Sequence, residues 1–488
     1  MSIAAAERYD LWIGGKSVKP RQYAMVHCPY DGRDVGEVPN ASLAELDSAI
    51  DAAVKAKPAM AALTAYQRYE ILTKAAEGMR QGAEEFARAV ALETGKPIQE
   101  ARGEVARAIQ TLIFSAEEAK RVAGEVVPLD AHPGGAGRFG FTIRVPRGGV
   151  AAITPFNFPV NLGCHKIGPA IATGNSVVLK PATATPRSSY MMAELFAEAG
   201  LPDGGLNVIT GSGSLLGDPL VSDPRVNMVT FTGSAEVGRR ILSKAGIKMV
   251  TLELGSNSAA IVCDDADVDE AIDRCVMGGY AHSGQVCISL QRIYASERAH
   301  DRFIEAFTRK VASLKIGHPL DESSQITSLI QESDAQRVHE WIEEAQNGGA
   351  RVLTGGQRQG RATLVPAILA GAPRDSKVVR EEVFGPLTVT DRVATLDEAI
   401  AKVNDSKLGL QAGIFTNDIN RALYAAQRIE AGGVIINDVP TFRVDQMPYG
   451  GMKDSGIGKE GPKYACEEMT VMKMIVIKHG IKPADGRK

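Results

Sequence analysis

Between Gly149 and Glu253, short β-branched runs alternate with amphipathic stretches, and this alternation constrains the fold more than any other feature of the chain. The runs are VAAI from 150, SVVL from 176, LNVI from 206, MVTF from 228 and MVTLEL from 249. The segments between them, such as RSSYMMAELFAEAG and SAEVGRRILSKAG, end in glycine as helices often do. Such a pattern predicts a parallel sheet covered by helices on both faces. A second cycle (SAAIVC, VDEAIDRCVMGGYAH, QRIYAS, AHDRFIEAFTRKVASL) starts at Asn257 and continues to about Gly451. At roughly 150 residues per domain, a chain of 488 residues holds two to four domains and not one core. The fold class is therefore α/β.

The flanks read differently. LWIGGKSV, with apolar runs on either side of Gly14-Gly15, predicts a hairpin. From Ser42 to about Gly124, Leu43, Leu46, Ile50 and Ala53, then Ile71, Ala75 and Met79, recur at helical spacing. That half offers few chemical groups of interest. Residues 125–146, with HPGGAG and the alternating FGFTIRV, predict a strand pair or arm, and the late TVMKMIVI is a strand in need of a partner.

Charge and composition narrow the partners. Lys+Arg 55 against Asp+Glu 58 leaves a net charge of −3 with no long run of either sign, so no basic footprint for nucleic acid or anionic lipid is present. No stretch reaches about 18 uninterrupted apolar residues, and MSIAAAERYDLW lacks the apolar core of a signal peptide. Six cysteines without paired or metal-type spacing fit a reducing cytoplasm, with no metal site.

Several residues stand where chemistry is possible. A buried strand runs into Gly233, and a helix opens after Ser234, an arrangement that favours an anion such as a pyrophosphate. The spacing to Gly238 is G-x-x-x-x-G, and a close helix–sheet contact explains it equally well. Cys287 sits among small and polar neighbours in HSGQVCIS, while Cys263 and Cys275 fall on apolar faces. Glu253 ends an apolar strand, where a carboxylate is costly unless paired, hydrated or functional. Asn157, in ITPFNFPV, can aim its amide into a cleft or simply shape a turn. Lys180 ends the strand SVVLK, and Glu382 lies in REEVFGPL.

TPFNFP, VVLKPA, FTGSAEVG, LELG, GQVC, EEVFGP and PYGGMKDSGIGKEG occur in that order, and together they resemble the aldehyde dehydrogenase superfamily from the first hairpin to the last strand. The resemblance implies Cys287 as nucleophile, Glu253 as general base, and Asn157 with the Cys287 backbone N–H as oxyanion hole. It implies NAD or NADP as cofactor, contacted by Thr154, Phe156, Lys180, Thr183, Gly233, Ser234, Glu382 and Phe384. Lys166 and Glu460 match positions proposed to relay protons from the base. The thiolate adds to the aldehyde carbon, hydride leaves to the nicotinamide, and Glu253 activates the water that releases the acid. The usual ELGGK of the family is ELGSN here, with Ser256 and Asn257, and the residue before the nucleophile is Val286.

The implied architecture is an aldehyde dehydrogenase-like fold. It comprises a parallel-sheet cofactor domain (1–123 and 147–252), an α/β catalytic domain (253–451) and a small β oligomerisation arm (124–146 and 467–488). The expected state is a homodimer or homotetramer, with a small aldehyde as the other partner and neither nucleic acid nor membrane. Thr183 stands where strictly NAD-dependent relatives commonly have glutamate, so NADP is expected to be accepted. Arg107 in GEVARAIQ and Arg443 in NDVPTFRVDQMPYGG flank the implied substrate tunnel, which predicts a short polar or anionic aldehyde; surface salt bridges are their ordinary alternative. Two rivals are a coenzyme A-acylating semialdehyde dehydrogenase, against which Glu253 argues, and a catalytically silent structural or binding relative.

Overall fold

The computed structural model describes residues 7–479. Residues 1–6 and 480–488, the outer ends of the expected first domain and arm, lie outside the described residues.

The five β-branched runs form the strands Gly149–Ile153, Ser176–Lys180, Leu206–Val208, Met228–Thr232 and Met249–Glu253, all parallel in one eight-stranded sheet. Strand period 2 explains their composition. Val150, Ala152, Val177 and Leu179 enter the core on one face, and Ala151, Val178, Val229 and Phe231 enter the core on the other. The hairpin Leu11–Ile13 and Lys16–Val18 closes one edge, turning through Gly14 and Gly15 at φ +64° and +79°. At the other edge Gly456–Ile457 runs antiparallel to the strand that ends in Glu253, with Glu253 opposite Gly456.

The second cycle forms a seven-stranded sheet in the order Arg351–Thr354, Ala367–Ala370, Leu387–Val393, Arg292–Ser296, Ala259–Val262, Gln411–Phe415, Gly433–Ile436. Only Arg351–Thr354 is antiparallel to its neighbour. Residues 42–124 contain four helices, Leu43–Ala62, Ala65–Gln81, Ala83–Thr94 and Ile98–Ala119. Ser42 with Glu45, and Thr64 with Gln67, form capping boxes at the first two. Thr470–Lys478 pairs antiparallel with Arg138–Pro146, which in turn pairs with Val126–Val127. Among the described residues no helix is long and apolar enough to cross a membrane.

Candidate active site

Cys287 lies between the helix Val268–Tyr280 and the strand Arg292–Ser296, and is the only one of the six cysteines that is not buried. The turn before it is unusual: His282, Ser283 and Gly284 all adopt left-handed backbone, at φ 48°, 52° and 76°. Surrounding groups hold this turn. Ser283 Oγ accepts from Thr327 N at 3.1 Å, and Gln285 Oε1 accepts from Ile330 N at 2.8 Å. Asn157, 3% exposed, donates from Nδ2 to the Gln285 carbonyl at 2.8 Å. Its amide thus lies against the loop that carries Cys287, beyond a simple turn role, with a second N–H left to offer.

The thiol faces Tyr449, whose Oη is 2.9 Å from Sγ. Burial pushes the thiol up to about 11, against the Tyr449 hydrogen bond and the Arg443 cation, which pull it down. Glu253 is 2% exposed, and neither carboxylate oxygen has a hydrogen-bond partner among the described residues. Burial, reinforced by the Glu460 carboxylate, raises its pKa well above the usual range. The residue is not half of a buried ion pair. A Cβ added at Gly450 would stand 2.9 Å from Glu253 Oε1, so the backbone after Tyr449 is packed directly on this carboxylate.

Lys166 and Glu460 meet at 3.0 Å, both buried, and Lys166 also donates to Thr232 Oγ1 at 2.7 Å. Burial would raise the Glu460 carboxyl, but Lys166 and Arg443 hold it at about 2. Arg443 is not a surface residue: its side chain is 5% exposed, reaches Glu460 Oε2 at 3.1 Å and stacks 3.7 Å from the Tyr449 ring centroid. Its Nε is buried without a partner among the described residues. Arg107, on the helix Ile98–Ala119 and one-third exposed, grips Asp445 with Nη2 at 2.8 Å and Nε at 3.1 Å. Asp445 also takes Asn161 Nδ2 at 3.0 Å and contacts His165 Nε2 at 2.9 Å, and the same nitrogen lies 3.1 Å from Arg443 Nη2. One buried polar network therefore joins both arginines to the wall beside the thiol.

Thr154, Phe156, Lys180, Thr183, Gly233 and Ser234 end or follow strands of the first sheet, and from the segment before Leu387–Val393 Phe384 reaches Phe156 and Glu382 reaches Ser256. Lys180 is buried with, among the described residues, only the Pro181 carbonyl, at 3.3 Å, as acceptor, and burial lowers its pKa to about 8. Thr154 Oγ1 is buried without a partner among the described residues, while Thr183 donates to the Gly211 carbonyl at 3.1 Å. Ser234 caps the helix Ala235–Ala245. At Gly238 a Cβ would meet the Leu254 side chain at 2.8 Å, the close helix–sheet contact, whereas Gly233 donates to the Glu253 carbonyl at 3.1 Å. Phe156 and Phe384 meet edge to face with centroids 5.7 Å apart, Phe384 at φ 50°. Glu382, pushed by burial to about 7, accepts from Ser256 N at 2.9 Å. An uncompensated lysine, an orphan hydroxyl, a capped helix start and an aromatic corner suit a dinucleotide.

Sequence reasoning passed over Tyr449, Asp445 and His165, although Asp445 is two residues and Tyr449 six residues after Arg443 in segments already noted, and His165 immediately precedes Lys166. It also discounted the helical half, which supplies Lys96, Glu100 and Glu104 near the site. Asn257 is a structural tie, donating to the Val379 and Arg380 carbonyls at 3.1 and 3.3 Å and accepting from Ser406 at 2.7 Å. Cys28, Asp31 and His318 bring possible metal donors within 4.8 Å, but Leu320 N and Arg33 Nη2 already engage the two ring nitrogens.

The sequence matches the Aldehyde dehydrogenase family over residues 12–475. It is 48% identical over 477 residues to a 3-sulfolactaldehyde dehydrogenase of Priestia megaterium, covering 98% of this chain and 99% of the relative. Aldehyde dehydrogenase 21 of Physcomitrella patens, solved with the reaction product succinate, superposes with a TM-score of 0.95 at 40% identity over 98% and 99% of the two chains. A glyceraldehyde-3-phosphate dehydrogenase of Methanocaldococcus jannaschii, solved with NADP, gives 0.90 at 41% identity over 94% and 100%. With the match spanning both sheets and every motif of the site, the chain belongs to the aldehyde dehydrogenase family.

Proposed function

We propose that this enzyme oxidises a small anionic or hydroxylated aldehyde to the carboxylic acid by way of a cysteine thiohemiacetal and a hydrolysed thioester. The observation that carries the reading is the meeting of a partly accessible thiol, an unpartnered buried carboxylate and a tethered amide: Cys287, Glu253 and Asn157. Cys287 adds as thiolate to the aldehyde carbon, and the Asn157 amide donates to the alkoxide that forms, a contribution of about 3 kcal/mol for such a donor. Lys180, Thr154, Ser234, Glu382 and the Phe156–Phe384 corner would hold NAD or NADP, which would accept the hydride when bound. Glu253, desolvated and therefore strongly basic, then takes a proton from the water that attacks the thioester, and Glu460 with Lys166 carries that proton away.

The substrate class follows from Arg443. A guanidinium buried beside the Cys287 thiol, its Nε unpartnered among the described residues, suits an anionic or hydroxyl group on the substrate. Arg107 stands at the more open side of the same network. Val286 leaves no arginine next to the cysteine, which favours a carboxylate, sulfonate or hydroxyl over a phosphate dianion. The similar 3-sulfolactaldehyde dehydrogenase and the succinate-bound relative point the same way. The test is NAD(P)H formation with succinate semialdehyde, lactaldehyde, sulfolactaldehyde, pentanal and benzaldehyde. The expected order places the polar aldehydes first, and higher kcat/KM for pentanal or benzaldehyde refutes it.

A further inference from the structure

The helix Ile98–Ala119 touches more than the arginine network. Glu100 Oε2 accepts from the backbone N–H of His282 at 2.7 Å, the first residue of the left-handed run that leads to Cys287. One helical turn on, Glu104 Oε1 accepts from Val160 N at 2.9 Å and Asn161 N at 3.2 Å, in the first turn of the helix Pro159–Ala172 that follows Asn157. Residues four apart lie on one helical face, so a single rigid surface reaches both loops. Lys96 joins them: it pairs with Glu104, both fully buried, and its Nζ lies 3.7 Å from the centroid of the Phe158 ring. Phe158 in turn meets the His282 ring edge-on at 6.2 Å.

A left-handed conformation at two successive non-glycine residues persists only where the surroundings impose it. Thr327 and Ile330 hold the turn from the catalytic-domain side. Glu100 holds it from the other side, on the helix that also fixes the Asn157 loop through Glu104. We propose that Glu100 is a positioning residue, which sets the Cys287 thiol in register with the Asn157 amide by anchoring His282. This inference rests on the reading of Cys287 as nucleophile and Asn157 as oxyanion donor.

The test compares full-length Glu100→Ala and Glu100→Gln with wild type, by the rate of iodoacetamide alkylation at Cys287 and by kcat and KM for NADP. A glutamine oxygen still accepts from the His282 N–H, and alanine does not. Glu100→Ala is expected to lower both alkylation and kcat by about tenfold or more, with KM for NADP within about threefold, while Glu100→Gln retains most of both. Glu100→Asp, one methylene short of His282, carries the same expectation as alanine should the alanine variant fail to fold. Wild-type alkylation and kcat in the alanine or aspartate variant, or equal losses in Ala and Gln, overturn the proposal. Cys287→Ala keeps the two readings apart: oxidation surviving in that variant refutes the nucleophile assignment, whereas the alkylation rates report the geometry of the turn regardless.

Discussion

A carboxylate with no hydrogen-bond partner at the end of a buried strand costs stability, and Glu253 is such a group. Its raised pKa fixes the sign: the neutral form is favoured on folding, so stability is full below the unfolded carboxylate range and falls as pH rises through the raised value. Glu253→Gln removes the charge at constant shape and is expected to stabilise by about 1 kcal/mol at pH 8 and less at pH 6, measured by thermal unfolding. In the same variant a burst of NAD(P)H should be followed by a stall, because hydride transfer precedes the water step; absence of the burst with intact cofactor binding refutes the assigned role. Cys287→Ala should abolish oxidation and leave cofactor binding. The thiol itself lies at about 11, so alkylation of wild type should climb from pH 7 to pH 10. Tyr449→Phe deletes the hydrogen bond that lowers it, and should slow alkylation at pH 8 by about threefold. A faster reaction in Tyr449→Phe contradicts that geometry.

At the level of elements, the strand Met249–Glu253 and the segment around Tyr449–Glu460 depend on one another. Gly450 lies on the Glu253 carboxylate, and a Cβ there would also meet the Gly458 carbonyl at 2.6 Å. Gly450→Ala should therefore displace the Glu253 carboxylate and, with Glu253 as the proposed base, cut kcat by about tenfold or more while KM for NADP changes little; unchanged turnover would show that the carboxylate has room. The alternating elements of both sheets were legible because strands buried on two faces are largely apolar, and in the first sheet the helices Arg187–Glu198 and Ala235–Ala245 run out at Gly200 and Gly246. Cys287 and Glu253 stood out in the sequence as a thiol among small residues and a carboxylate on an apolar strand, Asn157 as an amide in a Pro-flanked turn, and the roles proposed for all three came from the resemblance. Tyr449 and Asp445 did not stand out, since a tyrosine and an aspartate in a loop are ordinary, and only the folded loop turns them to the thiol and to Arg107. Glu100 was hidden for a different reason. Its partner is a backbone N–H 182 residues away, and no side-chain pattern announces such a bond.

For the whole molecule, the three-stranded sheet of Val126–Val127, Arg138–Pro146 and Thr470–Lys478 leaves Val471, Met472, Met474, Val476 and Ile477 at 42–52% exposure on an edge strand. Apolar edges of this length are normally paired with another chain, so light scattering at micromolar concentration should give a dimer or tetramer, and a monomer refutes the assignment of an oligomerisation arm. Cofactor choice is also a property of the cleft as a whole. Lys180 is buried without a carboxylate partner and Thr183 is neutral, so catalytic efficiency with NADP is expected within about a thousandfold of that with NAD, or above it. The antiparallel pairing of Gly456–Ile457 with the strand ending in Glu253 has a consequence in time. On a ribosome the other seven strands of the first sheet and the turn before Cys287 emerge before residues 449–460, and domains fold as they appear. Until that late segment arrives, the thiol has no phenol beside it, and Lys166 and Arg443 have no Glu460. A nascent chain thus carries Cys287 before Tyr449 and Glu460 exist, and this cluster closes only once residues 449–460 have emerged.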